Sequence, residues 1–141
     1  MNVLIDTNVA LDVLLQRQPF FEHSQLVLLA AEHKYVTGFI SASAITDIFY
    51  ITNKSLKDRA ATYKLLREHL MGTVSIAAVD GDHILRSLDL EWDDFEDCVQ
   101  YTVGESVAVD YIVTRNPTDY AKGQIESITP EELLNVIAPA D

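Results

Sequence analysis

The chain has 141 residues, 48% hydrophobic and 23% charged, which is close to the common size of one domain and enough to bury a core. A formal net charge of −12, from 22 acidic and 10 basic side chains, speaks against indiscriminate attraction to a polyanion. No apolar run approaches the roughly 18 residues of a membrane span, Met1–Asp6 has no basic start or cleavage site of a signal peptide, and the lone Cys98 excludes an intrachain disulfide and fits a reducing cytosol.

Val3-Leu4-Ile5 reads as a buried strand that ends at Asp6, and Asn8–Leu15 as a short helix closed by a turn near Pro19. Phe20–His33 has helical apolar spacing, and Tyr35–Ile40 is rich in strand formers. Ser41 or Ser43 is placed to cap a helix reaching about Asn53, and Ser55 to cap the next, Leu56–Leu70, which stops at Gly72. Val74–Val79 is a third strand, followed by a helix from Asp80 or Asp82 to Leu90 and another from Asp94 toward Gly104. Tyr111–Thr114 and Glu126–Ile128 are the fourth and fifth strands, and Pro130 opens a last helix. Strands alternating with helices predict βαβ units: a three-layer α/β/α sandwich around a mainly parallel sheet of four or five strands. Without repeats or a linker, the expectation is one unit over residues 1–141. Open sheets of this kind bind ligands beyond the carboxyl ends of their strands, which singles out Asp6-Thr7-Asn8, Ser41 and Thr114-Arg115-Asn116.

Charge is unevenly spread along the chain. Lys54, Lys57, Arg59, Lys64 and Arg67 lie close together with Asp58 as the one intervening acid, whereas the stretch from Asp80 to Asp97 is strongly acidic and holds only Arg86 as a base. Asp6 serves either as a helix cap or, with Thr7 and Asn8, as an oxygen donor to a hard cation. Asp47 sits in a helix that is apolar around most of its circumference, which predicts burial. A carboxylate there needs a metal ion, a distant Arg or Lys, or a way out to solvent. Asp93, Asp94 and Asp97 fall on one side of a helix start, where capping accounts for Asp94 better than for Asp97. Asn116 and Asp119 follow the fourth strand, and Asn116-Pro117 is also a turn signal. The four histidines have no zinc-ligand spacing, and no P-loop, dinucleotide fingerprint or nucleophile elbow occurs.

Four stretches in order, Val3-Leu4-Ile5-Asp6-Thr7-Asn8, Ser41 to Asp47, Asp94-Phe95-Glu96-Asp97 and Asp110 to Asn116, carry a family resemblance. The chain resembles PIN domains, particularly the small bacterial single-domain type that includes VapC-like toxins. The resemblance implies a metal-dependent endoribonuclease, the toxin of a toxin–antitoxin pair, with Mg²⁺ or Mn²⁺ as cofactor. It makes Asp6, Asp47, Asp97 and Asn116 the catalytic set and Asp6, Asp97, Asp47 and Asp119 the metal ligands. Asn8, Thr114, Arg115, Lys57 and Arg59 become substrate contacts. The implied partners are RNA, a small antitoxin and a second copy of the chain, in the cytoplasm and without a membrane. Asp47 stands where the family more often has Glu, and Asn116 where it usually has Asp. The second change removes a negative charge from the site, with Asp119 the candidate to replace it. That departure also defines the alternative, a PIN fold that binds without cutting. A receiver or haloacid-dehalogenase domain fits poorly, since Asn8 stands where the latter needs its second Asp.

Overall fold

Val3, Leu4 and Ile5 are fully buried, and the strand they form, β1 (Asn2–Ile5), occupies the centre of a five-stranded sheet. An unbroken apolar run suits that place, because a parallel strand is covered on both faces. The computed structural model describes residues 1–138; the last three residues of the expected 1–141 unit lie outside the described residues. The other strands are β2 (Thr37–Ser41), β3 (Ser75–Ala77), β4 (Tyr111–Val113) and β5 (Glu126–Ile128). Their order is β3-β2-β1-β4-β5 and every pairing is parallel, with Leu4 opposite Phe39 on one side and Ile112 on the other.

Successive side chains of β1 feed different layers. Val3 and Ile5 pack with α1 (Thr7–Leu14), α2 (Phe21–Glu32), α3 (Ala42–Leu56), α4 (Arg59–His69) and α7 (Pro130–Ile137). Leu4 points the opposite way, toward Tyr101, Ile112 and Tyr120. That second layer comprises α5 (Gly81–Leu90), α6 (Phe95–Ser106) and a short 3₁₀ turn, Pro117–Tyr120. The three-layer α/β/α sandwich expected from the alternation of elements is the fold observed.

Two local expectations need correction. The third helix does not give way at Ser55 but runs through Leu56, where Lys57 takes a left-handed conformation (φ 53°) and Asp58 caps α4 by accepting from the Ala61 amide at 3.0 Å. Ser55 remains inside the hydrogen-bonded run, so it has no helix start to cap. Nor is α3 buried all round: Ala44, Ile48 and Thr52 face the core, while Tyr50, Ile51 and Leu56 are exposed. Apolar composition mistook a helix with one inward stripe for an enclosed one, and Asp47 is half-buried rather than sealed off.

The chain builds outward from β1 to β2 and β3, then returns to the other side of β1 for β4 and β5. The order of strands therefore reverses between β1 and β4, and their carboxyl ends open a crevice there. Asp6 follows β1 and Thr114 follows β4 at that point.

Candidate metal centre

Asp6 is only 5% exposed, and three protein donors hold its carboxylate. Oδ1 accepts from the Thr7 amide at 2.7 Å and from Gln100 Nε2 at 3.1 Å, and Oδ2 accepts from Thr114 Oγ1 at 2.8 Å. Thr114 Oγ1 in turn accepts from the Asn116 amide at 3.2 Å, which ties the loop after β4 to the same carboxylate. Asp6 thus caps α1 and anchors the crevice at once. Thr114, expected to contact substrate, braces Asp6.

Asp97 comes to this acid from α6. Asp94 caps that helix by accepting from the Asp97 amide at 2.9 Å, so the cap occupies Asp97's backbone and leaves its carboxylate for other use. Burial pushes the Asp97 carboxyl up to about 7, helped by the negative charges of Asp6, Asp94 and Asp119. The one opposing influence is the Tyr120 hydroxyl, which donates to Oδ1 at 3.4 Å. Burial and the same two carboxylates, Asp6 and Asp97, push the Tyr120 phenol far above its ordinary value, so it stays a donor. Beside this group, Glu96 is pushed up to about 7 by the nearby Asp47 carboxyl first of all, then by burial and by the charges of Asp94 and Asp97. Asp47 therefore joins the acidic edge through Glu96.

The other expected residues lie around this crevice or away from it. Arg115 turns toward α1, where Nε lies 3.2 Å from Asp12 Oδ2, an ionic contact without hydrogen-bond alignment, and its guanidinium carbon sits 4.2 Å from the centre of the Phe20 ring. Asn8 Oδ1 accepts from the Arg115 amide at 3.4 Å. The Asn116 side chain is exposed and caps nothing. Lys57 and Arg59 lie exposed at the junction of α3 and α4, with Lys57 ending one helix and Arg59 beginning the next. A groove of about 410 Å³ between α3, α4 and β3, lined by Phe49, Tyr63 and Arg67, lies apart from Asp97.

Among the described residues, no three His, Cys, Asp or Glu side chains converge closely enough to hold a metal ion as they stand. The chemistry of the donors still fits a hard divalent cation. Every candidate ligand is a carboxylate, and no positive group is among those acting on Asp97. A cavity of about 260 Å³ opens beside Asp97 and Asp119, with Asp94, Trp92, Thr118 and Lys122 also on its wall.

This crevice and its acids coincide with a family signature: residues 2–118 match the sequence profile of the PIN domain. The chain belongs to the PIN domain family. Its PIN fold is similar to that of VapC20 from Mycobacterium tuberculosis, described as a sarcin-ricin loop cleaving toxin. That likeness is 13% identical, spans 86% of this chain and 95% of that one, and has a TM-score of 0.70. A toxin–antitoxin complex from Klebsiella pneumoniae matches at 22% identity over 91% of this chain and 97% of that one, with a TM-score of 0.66. VapBC2 from Rickettsia felis, bound to a DNA fragment from its promoter, matches at 14% identity, 92% and 98% coverage and a TM-score of 0.69. Comparison with curated proteins by sequence gives no match.

Four polar residues of this PIN domain's crevice and its flank escaped the sequence reading. Gln100 lies one turn beyond Asp97 on the same face of α6, so helical spacing could have found it. Glu96 stands within the third of the family stretches, where the sequence gives it no role of its own. Asp12 is a lone charge within the apolar run of α1, the very signal that was applied to Asp47 instead. Tyr120 had no sequence signal, because its role depends on the turn that carries it over Asp97.

Proposed function

We propose that this PIN domain is a divalent-metal-dependent endoribonuclease and the toxin of a toxin–antitoxin pair. The observation that carries the reading is the Asp97 carboxyl, set among Asp6, Asp94 and Asp119 at the crevice between β1 and β4 with no ion pair among the described residues to balance it. Asp6 and Asp97 would hold Mg²⁺ or Mn²⁺, with Asp119 or Asp47 completing the set. When bound, such an ion supplies Lewis-acid stabilisation of charge on the phosphoryl oxygens and lowers the pKa of a water. Gln100 and Thr114 keep the Asp6 carboxylate in one orientation. Tyr120 donates to Oδ1 of Asp97 and so fixes the carboxylate whose Oδ2 would face the ion, while Asp47 would orient the attacking water.

The toxin–antitoxin assignment is supported by the solved structures that share the fold, among them a toxin–antitoxin complex and a sarcin-ricin loop cleaving toxin. With it come RNA as substrate, a small antitoxin and a homodimer as partners, and a cytoplasmic location. Among the described residues no helix is long and apolar enough to cross a membrane.

Incubation of end-labelled single-stranded RNA with the purified protein tests the reading. Cleavage is expected in Mn²⁺ or Mg²⁺, none in EDTA, and none with Asp97→Asn. A protein that leaves RNA intact and binds Mn²⁺ no better than Asp97→Asn is a PIN-fold binding module. Asn116, with its uncharged and unbonded side chain, is the feature that favours that second reading.

A further inference from the structure

We propose that the cavity beside Asp97 is a nucleotide subsite, in which one base of single-stranded RNA stacks on Trp92 while Lys122 meets the adjoining phosphate. The inference rests on the nuclease reading above and names the residues that would grip the substrate next to the cut.

Trp92 is the only tryptophan, half-buried, and part of the cavity wall with Asp97 and Asp119. Its ring is backed by Tyr101, with centroids 4.9 Å apart and planes at 31°, and by Tyr120 edge-on at 6.3 Å. Tyr101 is itself clamped: it is 2% exposed, its hydroxyl accepts from the Gln124 amide at 3.0 Å, and the backbone of Gly123 comes so near that a Cβ there would collide with its ring. The indole therefore has a rigid support beneath it and cannot retreat when a base presses on it. Tyr120, one of the two supports, is also the residue that donates to Asp97, so the platform and the acid share a fixed spacing. A plain filling role would need only bulk, and aliphatic bulk is what surrounds this cluster at Leu4 and Ile112.

Lys122 is the one cation on the cavity wall. Its Nζ stands 3.8 Å from Asp93 Oδ2, and both side chains are well exposed, so the pair is weak and the ammonium can turn to a phosphate. The combination of an aromatic face and a mobile cation is how single strands are held without sequence readout: the base supplies a π-face and the backbone a charge. Stacking also tolerates the acidic surroundings, since it does not depend on the sign of the local charge, whereas the phosphate needs the divalent ion of the nuclease reading.

Because Trp92 is the sole tryptophan, its fluorescence reports on this cavity alone. The test titrates a single-stranded RNA decamer into the full-length protein in Ca²⁺, follows the emission of Trp92, and checks RNA integrity on gels. Cleavage is then measured in Mn²⁺. Saturable quenching is expected in the native protein, and the anisotropy of a fluorescein-labelled decamer, which needs no tryptophan, should show affinity lowered about tenfold in Trp92→Leu, the scale of one lost base–aromatic stack, and less in Trp92→Phe. Lys122→Gln, a surface change with no folding role, should lower affinity severalfold and flatten its salt dependence. In cleavage, KM should rise more than kcat falls. RNA that is cut by the native protein while Trp92 emission stays constant and both Trp92→Leu and Lys122→Gln behave as native would overturn the subsite and leave the nuclease reading standing. Quenching by RNA that the native protein never cuts in Mn²⁺ would overturn the nuclease reading and support the binding subsite.

Discussion

Asp12 and Asp97 lie on opposite flanks of β1 and share one problem, a carboxylate drawn out of water. Burial pushes the carboxyl up at both. At Asp12, which is 0% exposed, the protein answers with its own groups: Arg115 at 3.2 Å, Ser24 Oγ at 3.3 Å and the charge of Arg17. At Asp97 the neighbours are more acids, and a tyrosine hydroxyl is the one favourable contact. The fold thus has the means to neutralise a buried carboxylate from within and does so on one flank of β1 but not on the other. The difference teaches that Asp97, unlike Asp12, has no ion-pair partner among the described residues, which is what the proposed cation site requires.

The sharpest way to break the comparison is to remove the internal cation. Arg115→Met leaves Asp12 buried and unpaired, and should destabilise the protein by about 3 kcal/mol. Adding Asp12→Asn to that variant should restore most of the loss, because the charge that needed a partner is then gone. Urea denaturation of the two variants and the native protein measures both steps. Additive effects of Arg115→Met and Asp12→Asn would show that the two side chains are not coupled.

A smaller effect is expected on the acidic side, with the opposite sign. Asp97 and Glu96 both have folded values near 7, above the 3.8 and 4.5 of free carboxyls. Between those limits the folded protein holds protons that the unfolded chain has released, so metal-free stability falls as pH rises through the window from about 4 to about 7. The thermal midpoint without metal should accordingly be lower at about pH 8 than at about pH 5, and Mn²⁺ should recover it mainly at the higher pH. Asp97→Asn should flatten this dependence and stabilise the metal-free protein at neutral pH by about 1 kcal/mol, through relief of carboxylate repulsion. A sharp fall in melting temperature on that substitution would assign Asp97 a structural role like that of Asp12.

The smallest change is expected at Asn116. Asn116→Asp puts one more negative oxygen on the loop that Thr114 ties to Asp6, and should tighten Mn²⁺ binding severalfold while costing the metal-free protein a few tenths of a kcal/mol. Calorimetric titration of Mn²⁺ into both forms decides it. An unchanged affinity would make Asn116 a turn residue ahead of Pro117 and leave Asp119 as the acid of that loop.

Much of this architecture was legible in the chain. β1 is an unbroken apolar run because both of its faces are covered, and helix starts such as Ser41, Asp80, Asp94 and Pro130 carry short polar or ring-closed residues whose capping chemistry is local. Element order and cap identity depend on residues within a turn of one another, and such information survives in sequence. Ser55 misled because a serine inside a helix looks the same as a serine at its start until the hydrogen bonds of the preceding turn are known.

The sequence by itself determined that strands and helices alternate, that polar side chains follow the first and fourth strands, and that Asp94 rather than Asp97 is the cap of its helix. Only the tertiary structure decided which charges meet. Arg115 is 103 positions from Asp12 in the chain yet lies 3.2 Å from it, and Gln100 and Thr114 reach Asp6 across separations of 94 and 108 residues. The physical reason is that a carboxylate's burial and partners are properties of the folded surroundings. The same Asp in an apolar helix is an internal ion pair at Asp12 and a half-buried neighbour of Glu96 at Asp47, and nothing within a helical turn of either one distinguishes them.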